Sequence, residues 1–258
     1  MEENAVKRVI KIVKKYYKES QKIKNSVLHK ELNDIVTDVD VFMEENIIKE
    51  LKKFYPTHSF YAEESGQTLT NNNAEDFFQW LIDPIDGTIN YAAGLPLFAT
   101  SVALQKNGET ILGVVFDHGQ GDIYTAIAGK GAFKNSEKLQ VSKRKKLSDC
   151  IVSFCLTSHY NEEHTTKILD VAKKLSPKLR GLRLIVSSAI ELCWLASGKI
   201  DGVINIKPSV GLSSAAGKLF ITETGGKVTN VEGDPRQKID TMLCTNGMIH
   251  DEIVKLVK

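Results

Sequence analysis

Past about residue 139 the sequence settles into an alternation of short apolar runs and amphipathic ones, and this alternation limits the fold more than any other feature of the chain. Residues 151–154 read as a strand, 162–175 as a helix, 184–186 as a strand and 189–196 as a helix closed by Gly198. A strand near 202–206, a helix near 215–224 ended by Gly225-Gly226 and a short strand near Val228 complete the series. Strands exchanged with helices along a chain bury a sheet between helical layers, so the expectation is layered α/β packing and not an all-β barrel.

Upstream the pattern is different. Ala5, Val6, Val9, Ile10, Ile12, Val13, Tyr16 and Tyr17 recur at helical spacing among lysines, which predicts an amphipathic opening helix whose apolar stripe faces a core. A second helical pattern covers 41–54, with Phe42, Ile47, Ile48, Leu51 and Phe54 on one face and Pro56 as its stop. Residues 80–82, 100–104 and 111–116 are β-rich, and Asn107-Gly108 between the last two marks a hairpin turn, so antiparallel sheet is expected in the middle of the chain. Lys143-Arg144-Lys145-Lys146, where the two patterns meet, reads as a solvated linker, because nothing aromatic is interleaved with it.

Composition excludes several function classes. Hydrophobic residues at 42% rule out a disordered chain, and the longest apolar stretches, such as 97–104, fall far short of a membrane span. The charge balance, 34 Lys+Arg against 32 Asp+Glu, argues against a dedicated nucleic-acid binder. The first twenty residues lack the apolar core and cleavage site of a secretory signal, so the expected location is the cytoplasm. Cys150, Cys155, Cys193 and Cys244 are scattered without a C-x-x-C pair and read as buried, inert thiols. His159 and His164 stand five apart, off the i, i+4 face, and take no chemical role.

The chemistry concentrates in three acidic stretches. In the first, the apolar run Trp80-Leu81-Ile82 leads into Asp83-Pro84-Ile85-Asp86-Gly87-Thr88, two carboxylates about a proline. Such a strand end can aim both carboxylates and the Ile85 carbonyl into one small volume, and hard oxygen donors at that density suit Mg²⁺ or Mn²⁺ better than zinc. Gly87 and Thr88 follow where a helix could begin, offering N–H groups and a hydroxyl to an anion. Taken alone, the two aspartates could equally cap a turn. The second stretch, Glu63-Glu64-Ser65 after Ser59-Phe60-Tyr61, and the third, residues 34–40, bring three acidic clusters within about fifty residues, more than a surface requires. If 34–40 is extended, Asp38 and Asp40 share one side, opposite Thr37 and Val39.

Asp34-Ile-Val-Thr-x-x-Asp40, Tyr55-Pro-x-His-Ser-Phe-x-x-Glu63-Glu64-Ser65 and Trp80-x-Ile-Asp83-Pro-Ile-Asp86-Gly-Thr-x-Asn90 together resemble the inositol monophosphatase family of metal-dependent phosphomonoesterases. The resemblance continues through Gly94-x-Pro96, Gly113-Val114-Val115, Ser188-Ala189, Ala196-Ser197-Gly198-x-x-Asp201 and Thr222-Glu223-x-Gly225-Gly226, nearly the whole chain. It implies the layered αβαβα sandwich shared with fructose-1,6-bisphosphatase, one unit over 1–258 with lobes of about 1–140 and 141–258, usually as a homodimer with Mg²⁺ as cofactor. By the same resemblance Glu63, Asp83 and the Ile85 carbonyl hold a first metal, and Asp83 bridges to a second held also by Asp86. Asp40, Thr88 and Glu63 are the implied catalytic residues, with Asp40 and Thr88 acting on the attacking water. Asp86, Gly87, Thr88 and Ala189 are the implied phosphate- and substrate-binding residues, and Glu64 is expected to orient the ligands.

One departure stands out. Where the family has a Trp-Asp pair opening a helix, counting back from Ala215-Ala216-Gly217 puts Leu212 and Ser213, and no carboxylate lies between Asp201 and Glu223. Where the family carries a substrate-side Glu, the same count falls on Ile206. A hydroxyl brings no negative charge, so the implied activity is Mg²⁺-dependent hydrolysis of a small phosphomonoester (inositol monophosphate-like, sugar or nucleotide phosphate), weakened at the second metal. The alternative is a non-catalytic protein that binds a phosphorylated metabolite. The partner in either case is a small phosphorylated molecule, with neither nucleic acid nor membrane.

Overall fold

The computed structural model describes residues 2–23, 26–31, 34–70, 76–156, 160–206, 211–235 and 241–257. The opening pattern forms α1 (Glu2–Ser20), which buries Ala5, Val9, Ile12, Val13 and Tyr16. A short antiparallel pair, β1 (Val27–Glu31) and β2 (Asp34–Thr37), leads into α2 (Asp38–Phe54). The helix begins three residues earlier than the apolar pattern suggests, because Thr37 is its N-cap and Asp40 closes a capping box with it. Residues 34–40 are therefore not one extended run. Asp38 turns outward to the Ser26 N–H while Asp40 is buried. The core face of α2 runs through Val39, Met43, Ile47 and Leu51 rather than through Phe42 and Phe54, and Phe54 is 48% exposed.

Next come β3 (Ser59–Ala62), β4 (Gly66–Thr68), β5 (Phe78–Asp86), the short α3 (Thr88–Ala92), β6 (Ala99–Lys106), β7 (Glu109–Asp117), β8 (Asp122–Ile127), β9 (Gly131–Lys134) and β10 (Glu137–Lys138). Among the described residues these strands make an eight-stranded sheet in the order β10-β9-β8-β7-β6-β5-β3-β4. It is antiparallel as expected except where β3 runs parallel to β5. The β6–β7 turn has Asn107 at φ 52° and Gly108 at φ 85°, the positive pair a two-residue hairpin requires.

The second half supplies β11 (Ile151–Cys155), α4 (Glu162–Leu175), β12 (Gly181–Arg183), α5 (Ser188–Ala196), β13 (Gly202–Asn205), α6 (Leu212–Glu223), β14 (Lys227–Thr229), β15 (Met242–Thr245) and α7 (His250–Val257). Its sheet has the order β12-β11-β13-β15-β14. The strand expected at 184–186 ends instead at Arg183, and Val186 sits at φ 61°, which no strand accommodates. Arg144 is no solvated linker residue, since its guanidinium donates to the buried Asp201 carboxylate at 2.7 Å and to the Gly198 carbonyl at 2.7 Å.

Alternation along β5 divides the core. Trp80 and Ile82 face the cluster under α1 and α2, while Leu81 faces the cluster formed with α5 and α6. The opposite face of the five-stranded sheet buries Val152, Phe154 and Ile204 against Ile168 and Val171 of α4 and Ile253 of α7. The layers are thus helix, sheet, helix, sheet, helix, the expected αβαβα sandwich. The acidic end of β5 lies where the first sheet meets the middle helices.

Candidate active site

Pro84 lacks an N–H and sits in an interior strand, which is tolerated only where the ladder is interrupted. The interruption is visible: Asp83 pairs with Ser101 and Asp86 with Ala99, with a register shift between them. Thr100 steadies the bulge by donating to the Pro84 carbonyl at 2.7 Å. Asp83 and Asp86 both end up buried, at 4% and 8% exposure.

Asp83 is the most constrained carboxyl. Burial pushes it well above the usual carboxylate range, and the charges of Glu63, Asp86 and Asp40, with a hydrogen bond to Glu63, push it further. Its Oδ1 is buried with no N–H or hydroxyl partner among the described residues. The four acidic residues expected to act together are thus electrostatically in contact. Among the described residues no three acidic, histidine or cysteine side chains close around one point as they stand. What fits a divalent cation is the donor chemistry: hard oxygens, mutually repelling, one of them buried without a donor.

Asp86 is held from the second half of the chain. Ser187, the N-cap of α5, donates its hydroxyl to Asp86 Oδ2, and the Ala189 N–H does so at 2.8 Å. Burial pushes Asp86 up to about 6, while the bonds from Ser187, the Ala189 and Ser188 N–H groups and the Ser213 hydroxyl pull it down. Ser213 therefore stands beside Asp86 at the first turn of α6. Part of the departing stretch, residues 207–210, and His159 lie outside the described residues.

Asp40 faces the same volume from α2. Its Oδ2 accepts the Thr37 N–H at 3.0 Å and the Thr37 hydroxyl, and its Oδ1 accepts the Thr88 hydroxyl at 3.2 Å. Burial raises the Asp40 carboxyl, and these bonds oppose the rise. The Thr88 hydroxyl also lies 3.0 Å from the Ile85 carbonyl, so Asp40, Thr88 and Ile85 form one contact group. Gly87 adopts φ 93°, and a Cβ there would stand 2.9 Å from the Leu97 carbonyl oxygen and 3.2 Å from that of Val186. Asn90 ties the surrounding loops by donating to Leu97 at 2.8 Å and to Ile185 at 2.7 Å.

Glu63 is exposed, on the turn between β3 and β4. That turn is fixed by a residue the sequence did not single out: Glu44 of α2 accepts the Glu64 N–H and the Ser65 N–H, each at 2.8 Å. Ser187 was missed as well. Its only sequence signal is a serine preceding a helical pattern, and Glu44's is its i, i+4 offset from Asp40. The four cysteines are buried and free, as expected, and burial pushes the thiols of Cys150 and Cys244 up to about 12.

Comparison with known proteins gives concordant results. The pattern of the inositol monophosphatase family matches residues 1–258. An inositol-1-monophosphatase of Mesorhizobium japonicum is 33% identical over 230 residues, covering 87% of this chain and 83% of that protein. A fructose-1,6-bisphosphatase/inositol-1-monophosphatase of Thermotoga maritima is 35% identical over 231 residues, covering 87% and 82%. The solved structure of the extragenic suppressor protein SuhB from Bartonella henselae superposes with a TM-score of 0.85 at 28% identity, covering 98% of this chain and 95% of that one. Among the described residues no helix is long and apolar enough to cross a membrane.

Proposed function

The chain belongs to the inositol monophosphatase family, and from that premise we propose that it hydrolyses a small phosphomonoester with Mg²⁺, or Mn²⁺ in its place, as a cytoplasmic homodimer. The observation that carries the reading is Asp83, buried against Glu63, Asp86 and Asp40 with an oxygen lacking any donor. Glu63, Asp83, the Ile85 carbonyl and Asp86 would hold the cations. When bound, the cation supplies positive charge that neutralises phosphate oxygens and makes water more acidic.

The remaining work falls to the chain's own groups. The Thr88 hydroxyl, donating to Asp40, leaves its oxygen free to accept from the attacking water and orient it. Asp40, its proton affinity raised by burial, is suited to receive that water's proton. Gly87 and Thr88 offer N–H groups to the phosphate at the start of α3, where a side chain at Gly87 would collide with backbone. Ala189, whose N–H already orients Asp86, lies on the substrate side.

Ser213 supports a weakened second cation site, because a hydroxyl engaged with Asp86 replaces the carboxylate expected there. The same observation favours one second reading, a protein that binds a phosphorylated metabolite without turning it over. Phosphate release from a panel of inositol, sugar and nucleotide monophosphates at millimolar Mg²⁺ decides between them. Turnover by the wild type, lost by roughly 10³-fold in Asp83→Asn, is expected, since a cation supplies several kcal/mol to such reactions. Undiminished turnover in Asp83→Asn overturns the proposed site, and substrate binding without turnover in the wild type establishes the second reading.

A further inference from the structure

We propose that Glu44 is a positioning residue that sets cation affinity by fixing the turn from which Glu63 projects; this rests on the reading of Glu63 and Asp83 as cation ligands. Glu44 is 2% exposed and makes no contact with the reacting groups named above. Its two oxygens are each spent on a consecutive main-chain N–H, Glu64 on Oε2 and Ser65 on Oε1, both at 2.8 Å. A bidentate grip on adjacent N–H groups fixes both the position and the tilt of a turn, as a single bond does not. The β3–β4 ladder, Phe60 to Ala62 against Gly66 to Thr68, stops short of these two N–H groups, so the carboxylate is what anchors the turn.

The anchor is rigid because of where it sits. Glu44 lies one helical turn beyond Asp40 on the buried face of α2, and the Thr37 capping box locks the start of that helix. One helix face thus fixes both Asp40, which takes the Thr88 hydroxyl, and the turn that carries Glu63. Groups that orient a metal's ligands commonly control affinity by 10–100-fold. Glu44→Gln keeps the shape but sets an amide NH₂ against one of the two N–H groups, donor against donor.

The test is Mn²⁺ binding to the purified full chain, followed by loss of the free-ion paramagnetic resonance signal, in wild type, Glu44→Gln, Glu44→Asp and Asp83→Asn. The expectation is that Glu44→Gln binds Mn²⁺ about 10–100-fold more weakly, while kcat at saturating Mg²⁺ stays within about threefold, a split that general destabilisation does not produce. Glu44→Asp, too short to span both N–H groups, is expected to weaken binding about threefold to tenfold, and it decides the matter if Glu44→Gln does not fold. Wild-type affinity in the folded Glu44 variants, with binding lost in Asp83→Asn, overturns this inference and leaves the cation site standing. Equal binding by wild type and Asp83→Asn overturns both.

Discussion

Ser213 donates its hydroxyl to a carboxylate that burial has already raised to about 6. A donor there eases Asp86 toward its charged form, whereas an acceptor would add a further buried charge. Replacing Ser213 by Asp therefore has opposite consequences with and without cation. In EDTA the added carboxylate repels Asp86, and each kcal/mol lost lowers Tm by about 2–4 °C in a chain of this size. With Mg²⁺ the penalty reverses, half-saturating Mg²⁺ falls, and turnover rises about tenfold or more, as one further ligand charge implies. Thermal unfolding in EDTA and in Mg²⁺, together with phosphate release against Mg²⁺ concentration, reads both halves. A variant that moves neither would show that position 213 does not face the ions.

At the scale of elements, Val186 carries the clearest local conflict. A β-branched residue at φ 61° is strained by about 1–3 kcal/mol, and it lies between Ile185, held by Asn90, and Ser187, held on Asp86. Val186→Gly is expected to relieve part of that strain and raise Tm by about 2–4 °C, read by thermal unfolding; a lower Tm would mean that packing of the isopropyl group outweighs the backbone. The same junction shows why the 184–186 strand was misread, since Leu184, Ile185 and Val186 have strand composition but their backbone is bent by tertiary anchors. Elements whose apolar period faces one core were legible: α1, α4 and the β6–β7 hairpin fall where the spacing puts them. Strands such as β8 and β10, at or near a sheet edge and rich in Asp, Glu and Lys, are defined by backbone pairing that leaves no side-chain signature. The site divides in the same way. Asp83, Asp86, Gly87 and Thr88 stand in one contiguous motif, whereas Glu44 and Ser187 become meaningful only when distant chain segments meet, with Ser187 and Asp86 separated by 101 positions.

For the whole molecule, sandwiching α5 and α6 between two sheets buries charge in the middle layer, and the cost of that burial depends on pH. Glu191 of α5 is completely buried, with Oε1 accepting the Ser153 hydroxyl of β11 at 2.6 Å and Oε2 without a partner among the described residues. Burial pushes its carboxyl up from 4.5 to about 7, the Ser153 bond opposes this, and the charge of Asp86 adds to it. The unfolded chain releases this proton near pH 4.5 and the folded chain near 7, so the folded state binds more protons in between. Stability contributed by Glu191 is therefore full below about pH 4.5, is lost as pH rises to about 7, and stays lost above, a swing on the order of 3 kcal/mol. Asp83 and Asp86, also raised, act with the same sign, so the Glu191 share is isolated by difference. Glu191→Gln leaves an amide NH₂ unpaired at a cost that does not vary with pH. Urea unfolding of wild type and variant in EDTA at pH 5 and pH 8 is expected to show the variant gaining about 2–3 kcal/mol relative to wild type across that range. A difference that is the same at both values would place the Glu191 proton equilibrium outside this window and remove the middle layer as the source of the pH dependence.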